Sequence, residues 1–179
     1  TVSEFAKWCA NPENHLNKSK DISEFRYTLS YIPMESMALL ELRNEQFDYS
    51  KFQKTCLNYS EMTYFTLKIE LPGGSGELVK YKLQSSAQYD VRIKYTSFEM
   101  QNDIYLIQGI DTIHPGLYQC ERIFEVAPYL TASFAFDNKK FDRNKELTIV
   151  FNDRLFEKGF IKFNYKNGQL VDVPTITGL

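Results

Sequence analysis

Apolar and polar residues alternate with a period of two along most of this chain. Phe25, Tyr27, Leu29 and Tyr31 are separated by Arg26, Thr28 and Ser30; Phe65, Leu67, Ile69 and Leu71 by Thr66, Lys68 and Glu70; Tyr89, Val91, Ile93 and Tyr95 by Asp90, Arg92 and Lys94. Successive side chains of a strand point to opposite faces, so each run describes one buried face and one wet one. The pattern predicts an α+β fold, mainly an antiparallel β-sandwich or open barrel of about eight strands.

Read from the start, Ser3 caps a short helix on which Phe5, Trp8 and Cys9 share a face, and Asn11-Pro12 ends it. Asn11 to Lys20 reads as a polar loop, and Glu24 to Ile32 as the first strand. Pro33 suits the first position of a helix carrying Met34, Met37, Ala38, Leu40 and Leu42. Ser50 heads a further helical piece with Phe52, Cys56 and Tyr59; the pattern leaves open whether the two merge across Asn44 to Asp48. Strands are then expected over Thr63 to Leu71, Leu78 to Leu83, Gln88 to Phe98 and Asp103 to Gln108, with turns at Pro72-Gly73-Gly74 and His114-Pro115-Gly116. Tyr118, Cys120, Phe124 and Val126 mark the apolar face of another strand. Leu130, Ala132, Phe134 and Phe136 mark the next, and Leu147, Ile149 and Phe151 the one after. Finally, Ile161, Phe163 and Tyr165, then Asn167-Gly168, then Leu170 to Val173 form the strongest hairpin signal, since both turn residues tolerate positive φ. The expectation is one domain over residues 1–179, with two or three short helices in residues 1–60 and strands over 61–179.

Composition narrows the function classes. Apolar residues make up 43% of the chain and charged ones 25%, as in ordinary globular domains; the aromatic share of 15% fits many half-buried strands. Net charge is −2 with both signs interspersed, and no basic stripe tracks a phosphate backbone, which argues against nucleic acid as a partner. No run of apolar residues is long enough to span a membrane. Three cysteines (Cys9, Cys56 and Cys120) without short spacing argue against a disulfide framework and against structural zinc; buried structural thiols are expected.

Chemistry has few places to sit. The two histidines exclude a histidine-rich metal site. Asp111, His114 and Cys120 are close in sequence, yet a triad is recognised by geometry and not by neighbourhood, so the turn-and-strand reading is preferred. Asp103, Asp111 and Asp153 fall in loops without a calcium-loop pattern, and turn capping is their expected role. Carboxylate pairs such as Glu61 with Glu70, or Asp137 with Asp142, show nothing that singles out an acid–base couple. Pro72-Gly73-Gly74-Ser75-Gly76 lacks the lysine of a phosphate loop. No catalytic residue, metal ligand or cofactor is assigned. Trp8, Phe98, Met100 and Tyr105 are the candidate partner-binding residues, with a hydrophobic plug under the strand connection as the simpler role for the last three.

Several stretches resemble a group of uncharacterised cell-envelope lipoproteins of Bacteroidota: Trp8-Cys9-Ala10-Asn11-Pro12-Glu13-Asn14, the unit Tyr27 to Leu42, Met100-Gln101-Asn102-Asp103, Ala127-Pro128-Tyr129 and Phe151-Asn152-Asp153-Arg154-Leu155-Phe156. That group has no assigned activity to carry over. The resemblance implies an exported domain in the periplasm or on the outer surface, tethered by a lipid upstream of Thr1. With it, the expected function is a non-catalytic binding or scaffold protein, an accessory subunit with a protein partner. The alternatives are a small-molecule carrier with a β-barrel cavity and a hydrolase using loop carboxylates.

Overall fold

A computed structural model of the chain describes residues 1–121 and 127–176. Within them the architecture is α+β: nine antiparallel strands in two facing sheets, plus four helices. The sheets lie as a sandwich and do not close into a barrel.

The N-terminal helix α1 (Val2–Ala10) is capped by Thr1 and not by Ser3. Thr1 Oγ1 accepts the Glu4 amide at 3.3 Å while the Glu4 carboxylate accepts from the terminal ammonium, a capping box two residues earlier than expected. Residues read as loop supply the edge strand β1 (Asn17–Ile22). It has almost no apolar side chain to signal a period, and its ladder to β2 (Phe25–Ile32) carries it. Helices α2 (Met34–Glu41) and α3 (Tyr49–Asn58) stay separate because Asp48 caps α3 by accepting the Lys51 amide. They connect β2 to its antiparallel neighbour β3 (Met62–Glu70).

Two expected strands are helical instead. Leu78 to Leu83 holds a single 3₁₀ turn, Leu78–Lys80, which buries the consecutive Leu78 and Val79 where a strand would bury alternate residues. Gln88 to Phe98 lies in α4 (Ser86–Lys94) and a π-helical turn, Tyr95–Glu99. Ser85 accepts the Gln88 amide and Gln88 Oε1 accepts the Gln84 amide, a helix start that outweighs the alternation. Val91, interior on the strand reading, is 66% exposed, while Tyr89, Ile93 and Thr96 turn inward at helical spacing.

The remaining strands are β4 (Ile104–Gln108), β5 (Asp111–Ile113), β6 (Leu117–Glu121), β7 (Tyr129–Asp137), β8 (Leu147–Asp153) and β9 (Gly159–Tyr165). Phe124 and Val126, expected to continue β6, lie outside the described residues. Asn167-Gly168 does not make a hairpin, and Leu170 to Val173 forms no strand. Instead the Gly168 amide donates to Asn144 O and Asn167 Oδ1 accepts the Glu146 amide, so the pair docks on the β7–β8 connection. A φ of +82° at Gly168 serves that docking turn.

One sheet has the order β1-β2-β3-β7-β6, the other β5-β4-β8-β9. The chain crosses from the first to the second after β3, returns for β6 and β7, and crosses again for β8 and β9. Phe25, Tyr27, Leu29, Tyr31, Phe65, Leu67 and Ile69 face Ile104, Leu106, Ile149, Phe151, Ile161 and Phe163 in one buried cluster. A smaller cluster, Phe5, Ala38, Leu42, Phe52, Cys56 and Ile176, joins α1, α2, α3 and the final segment. Among the described residues no helix is long and apolar enough to cross a membrane.

Candidate functional site

The cleft that best fits a binding role opens at the end of the sandwich where three turns meet α4. The β1–β2 turn supplies Glu24, the segment after the 3₁₀ turn supplies Tyr81, Lys82 and Gln84, and the turn after β8 supplies Arg154 to Lys158; Gln88, Val91 and Arg92 of α4 complete a hollow of about 470 Å³. Three of the four non-glycine residues with positive φ among the described residues belong to these turns: Lys82 and Glu157 line the cleft and Ser23 precedes Glu24. The left-handed region costs an L-residue on the order of 1–2 kcal/mol, so the fold holds these turns in place against local preference.

Asp153 builds the largest turn. It ends β8 at 1% exposure, where Oδ1 accepts the amides of Leu155 and Phe156 at 2.9 and 3.0 Å and Oδ2 accepts the Tyr27 hydroxyl at 2.5 Å. Burial raises its carboxyl above the ordinary value, and the hydroxyl and amides oppose that in part. The neighbouring Asp103 ties the helical arm to the same turn: Tyr95 donates its hydroxyl to Oδ2 at 2.9 Å, Asn152 donates to Oδ1 at 3.4 Å, and Arg154 lies 3.8 Å away. Asp153 thus plays the expected turn-capping role, whereas Asp103 accepts from side chains only and caps no turn.

The floor is aromatic. Phe25 stacks on Phe156 with centroids 4.2 Å apart, and Tyr81 meets Phe25 edge-on at 5.3 Å. Arg92 NH1 donates to the carbonyls of Val79 and Tyr81 at 2.8 and 2.7 Å, pinning the 3₁₀ segment to α4. Glu24 accepts from Tyr81 Oη and Lys158 Nζ, both at 3.2 Å, and pairs with Lys82 at 3.5 Å. Its own backbone amide and then Lys158 hold the Glu24 carboxyl down to about 2.

That shift gives a pH signature. Between the unfolded value of 4.5 and the folded value of about 2 the unfolded chain binds more protons, so Glu24's stabilisation is complete above 4.5 and fades as pH falls toward 2. Urea midpoints of wild type and Glu24→Gln should differ at pH 6 and converge by about pH 2. A constant difference across that range would count against the assignment.

The residues expected to meet a partner are scattered. Trp8 stacks on Phe5 at 6.5 Å in the helical layer. Met100 is fully buried in the main core, the plug role, and presents no surface. Phe98 stands 65% exposed on the π-helical turn. Tyr105 pairs across the ladder with Val150 and rests on His114 at 5.9 Å. His114 follows β5 in one sheet and Cys120 sits on β6 in the other. A larger hollow, about 590 Å³ between α2, α3 and Thr175-Ile176, has largely apolar walls. Burial there pushes the Cys56 thiol up to about 11, which leaves it a poor nucleophile.

The cleft does not stand out as a site in the sequence, because its residues come from three separate turns and from α4, whose alternation reads as strand. The Ser85-x-x-Gln88 start was the one signal that would have redirected that reading. No protein-family model matches the chain, and no match is found among curated proteins or solved structures.

Proposed function

We propose that this chain is a non-catalytic binding domain of the cell envelope and that the cleft between α4 and the Glu24, Lys82 and Arg154–Lys158 turns receives its ligand. The supporting observation is convergence: separate turns, two of them lining the cleft with left-handed residues, surround an aromatic floor with charged side chains. Strained backbone held by a rigid scaffold is where recognition groups concentrate. The envelope location rests on the resemblance of Phe151 to Phe156 and Met100 to Asp103 to lipoprotein sequences. In this fold those two stretches touch beside the cleft, through Asp103, Asn152 and Arg154.

The measurement is an amide NMR titration of the ¹⁵N-labelled chain with four probe types: neutral disaccharides, acidic disaccharides, phosphorylated sugars and short peptides. The expected result is that whichever probe binds shifts Glu24, Gln84, Phe156 and Glu157 together. Shifts confined to the α2–α3 hollow, or none with any probe, would overturn the assignment. The full-length precursor tests the location: a lipid-modified cysteine behind an export signal is expected, and a cytosolic start would end the envelope reading.

A further inference from the structure

The cleft carries a sign. Its lining holds four cations, Lys82, Arg92, Arg154 and Lys158, against two carboxylates, Glu24 and Glu157. That leaves an excess of two positive charges in a chain whose net charge is −2. Each ring of the floor has one cation over it: Arg92 over Phe156 at 5.4 Å, Lys82 over Tyr81 at 5.0 Å and Lys158 over Phe25 at 5.4 Å. A ring face attracts and orients a cation without cancelling its charge, which a carboxylate would do. Glu24 is divided between Lys82 and Lys158, and Asp103 meets Arg154 at 3.8 Å from outside the lining.

Apart from the Glu157 carboxylate, the groups left to meet a ligand are mainly donors. Gln88 uses its Oε1 on the Gln84 amide, so what it can add to a ligand is its NH₂. Lys82 and Arg154 are the most exposed of the four cations, with side chains 71% and 69% exposed, and their carboxylate contacts are long: Lys82 to Glu24 at 3.5 Å and Arg154 to Asp103 at 3.8 Å. A site of this kind complements acceptors with negative charge.

We infer that the ligand of the cleft is a small molecule or chain end bearing two oxyanion groups, carboxylate, sulfate or phosphate, received by Lys82 and Arg154 over the aromatic floor. This rests on the cleft being the binding site.

Calorimetric titration of the intact chain tests it with digalacturonate, a sugar bisphosphate, maltose and inorganic sulfate. At least one of the two doubly substituted oxyanions should bind about tenfold or more tighter than maltose. Added salt should weaken that binding. Lys82→Gln and Arg154→Gln, both exposed positions whose thermal midpoints should stay at the wild-type value, should each weaken it by about tenfold, while Lys139→Gln in a distant loop should not. Tighter binding of digalacturonate identifies a carboxylate ligand, and of the bisphosphate a phosphorylated one. Maltose binding as tightly as both of these oxyanions, inorganic sulfate matching them, or both glutamine variants binding unchanged would overturn the inference. If neutral probes alone shift the cleft amides, the cleft remains the site and only its sign is wrong; if no probe shifts them, both readings fall.

Discussion

Truncating Phe65 to alanine should lower the stability of this fold by about 3–5 kcal/mol, the largest effect expected of any single change described. Phe65 is 1% exposed on β3, the middle strand of its sheet. Its ring meets four others: Tyr31 at 5.6 Å, Tyr165 at 5.8 Å, Phe134 at 5.9 Å and Phe136 at 6.1 Å. Tyr31 comes from β2, Phe134 and Phe136 from β7, and Tyr165 from β9 of the opposite sheet. Removing the ring forfeits its transfer energy and leaves a cavity bounded on both sides by backbone ladders that cannot collapse. Urea midpoints followed by tyrosine and tryptophan fluorescence measure the loss, and Phe65→Leu should cost clearly less. A drop below about 1.5 kcal/mol for the alanine variant would show that the sheets close over the gap and that the ring cluster is not central.

The second large effect is at Asp153. Asp153→Ala removes both carboxylate oxygens and strands three donors, the buried Tyr27 hydroxyl and the amides of Leu155 and Phe156. The expected cost is about 3 kcal/mol, because unmade buried hydrogen bonds are charged at their full desolvation. Asp153→Asn keeps an oxygen for the amides and should cost less. A double-mutant cycle with Tyr27→Phe separates the hydroxyl's share, and a coupling near zero would contradict the geometry.

The pH dependence at Asp153 runs opposite to that of Glu24. The folded carboxyl keeps its proton above the unfolded value of 3.8, so the folded state binds more protons in that window. Stability relative to Asp153→Asn therefore falls as pH rises through the window, then levels. Asp153→Ala also frees the Arg154–Lys158 turn, so anion binding in the cleft should weaken alongside stability.

The sheets are readable in the sequence where one face of a strand is buried, which imposes the period of two: β2, β3, β7, β8 and the edge strand β9 lie within a residue or two of expectation. The failures have identifiable causes. β1 is a polar edge with no inward apolar set, so its only signature is a ladder to a neighbour. Tyr89 to Tyr95 alternates by coincidence, since Asp90, Arg92 and Lys94 occupy helix positions that happen to be odd steps from apolar ones. Ser85 and Gln88 decide the helix locally, and Arg92 fastens it by gripping the Val79 and Tyr81 carbonyls. Asn167-Gly168 has turn chemistry without a following strand, because Leu170 enters the core and Ile176 joins the helical layer. The cleft was unreadable for a different reason: its cations are ordinary surface residues in sequence, and only the convergence of distant turns puts them over rings.

The double crossing between sheets has a kinetic consequence. β3 pairs with β7, some seventy positions downstream, and the ring cluster is incomplete until Tyr165 arrives near the end. A nascent or threading polypeptide can therefore assemble the β1–β2–β3 meander early but cannot seal it. Topologies dominated by such distant pairings fold on the order of milliseconds to seconds. For a chain that emerges end first, this ordering postpones commitment to the native state until nearly all of it is out.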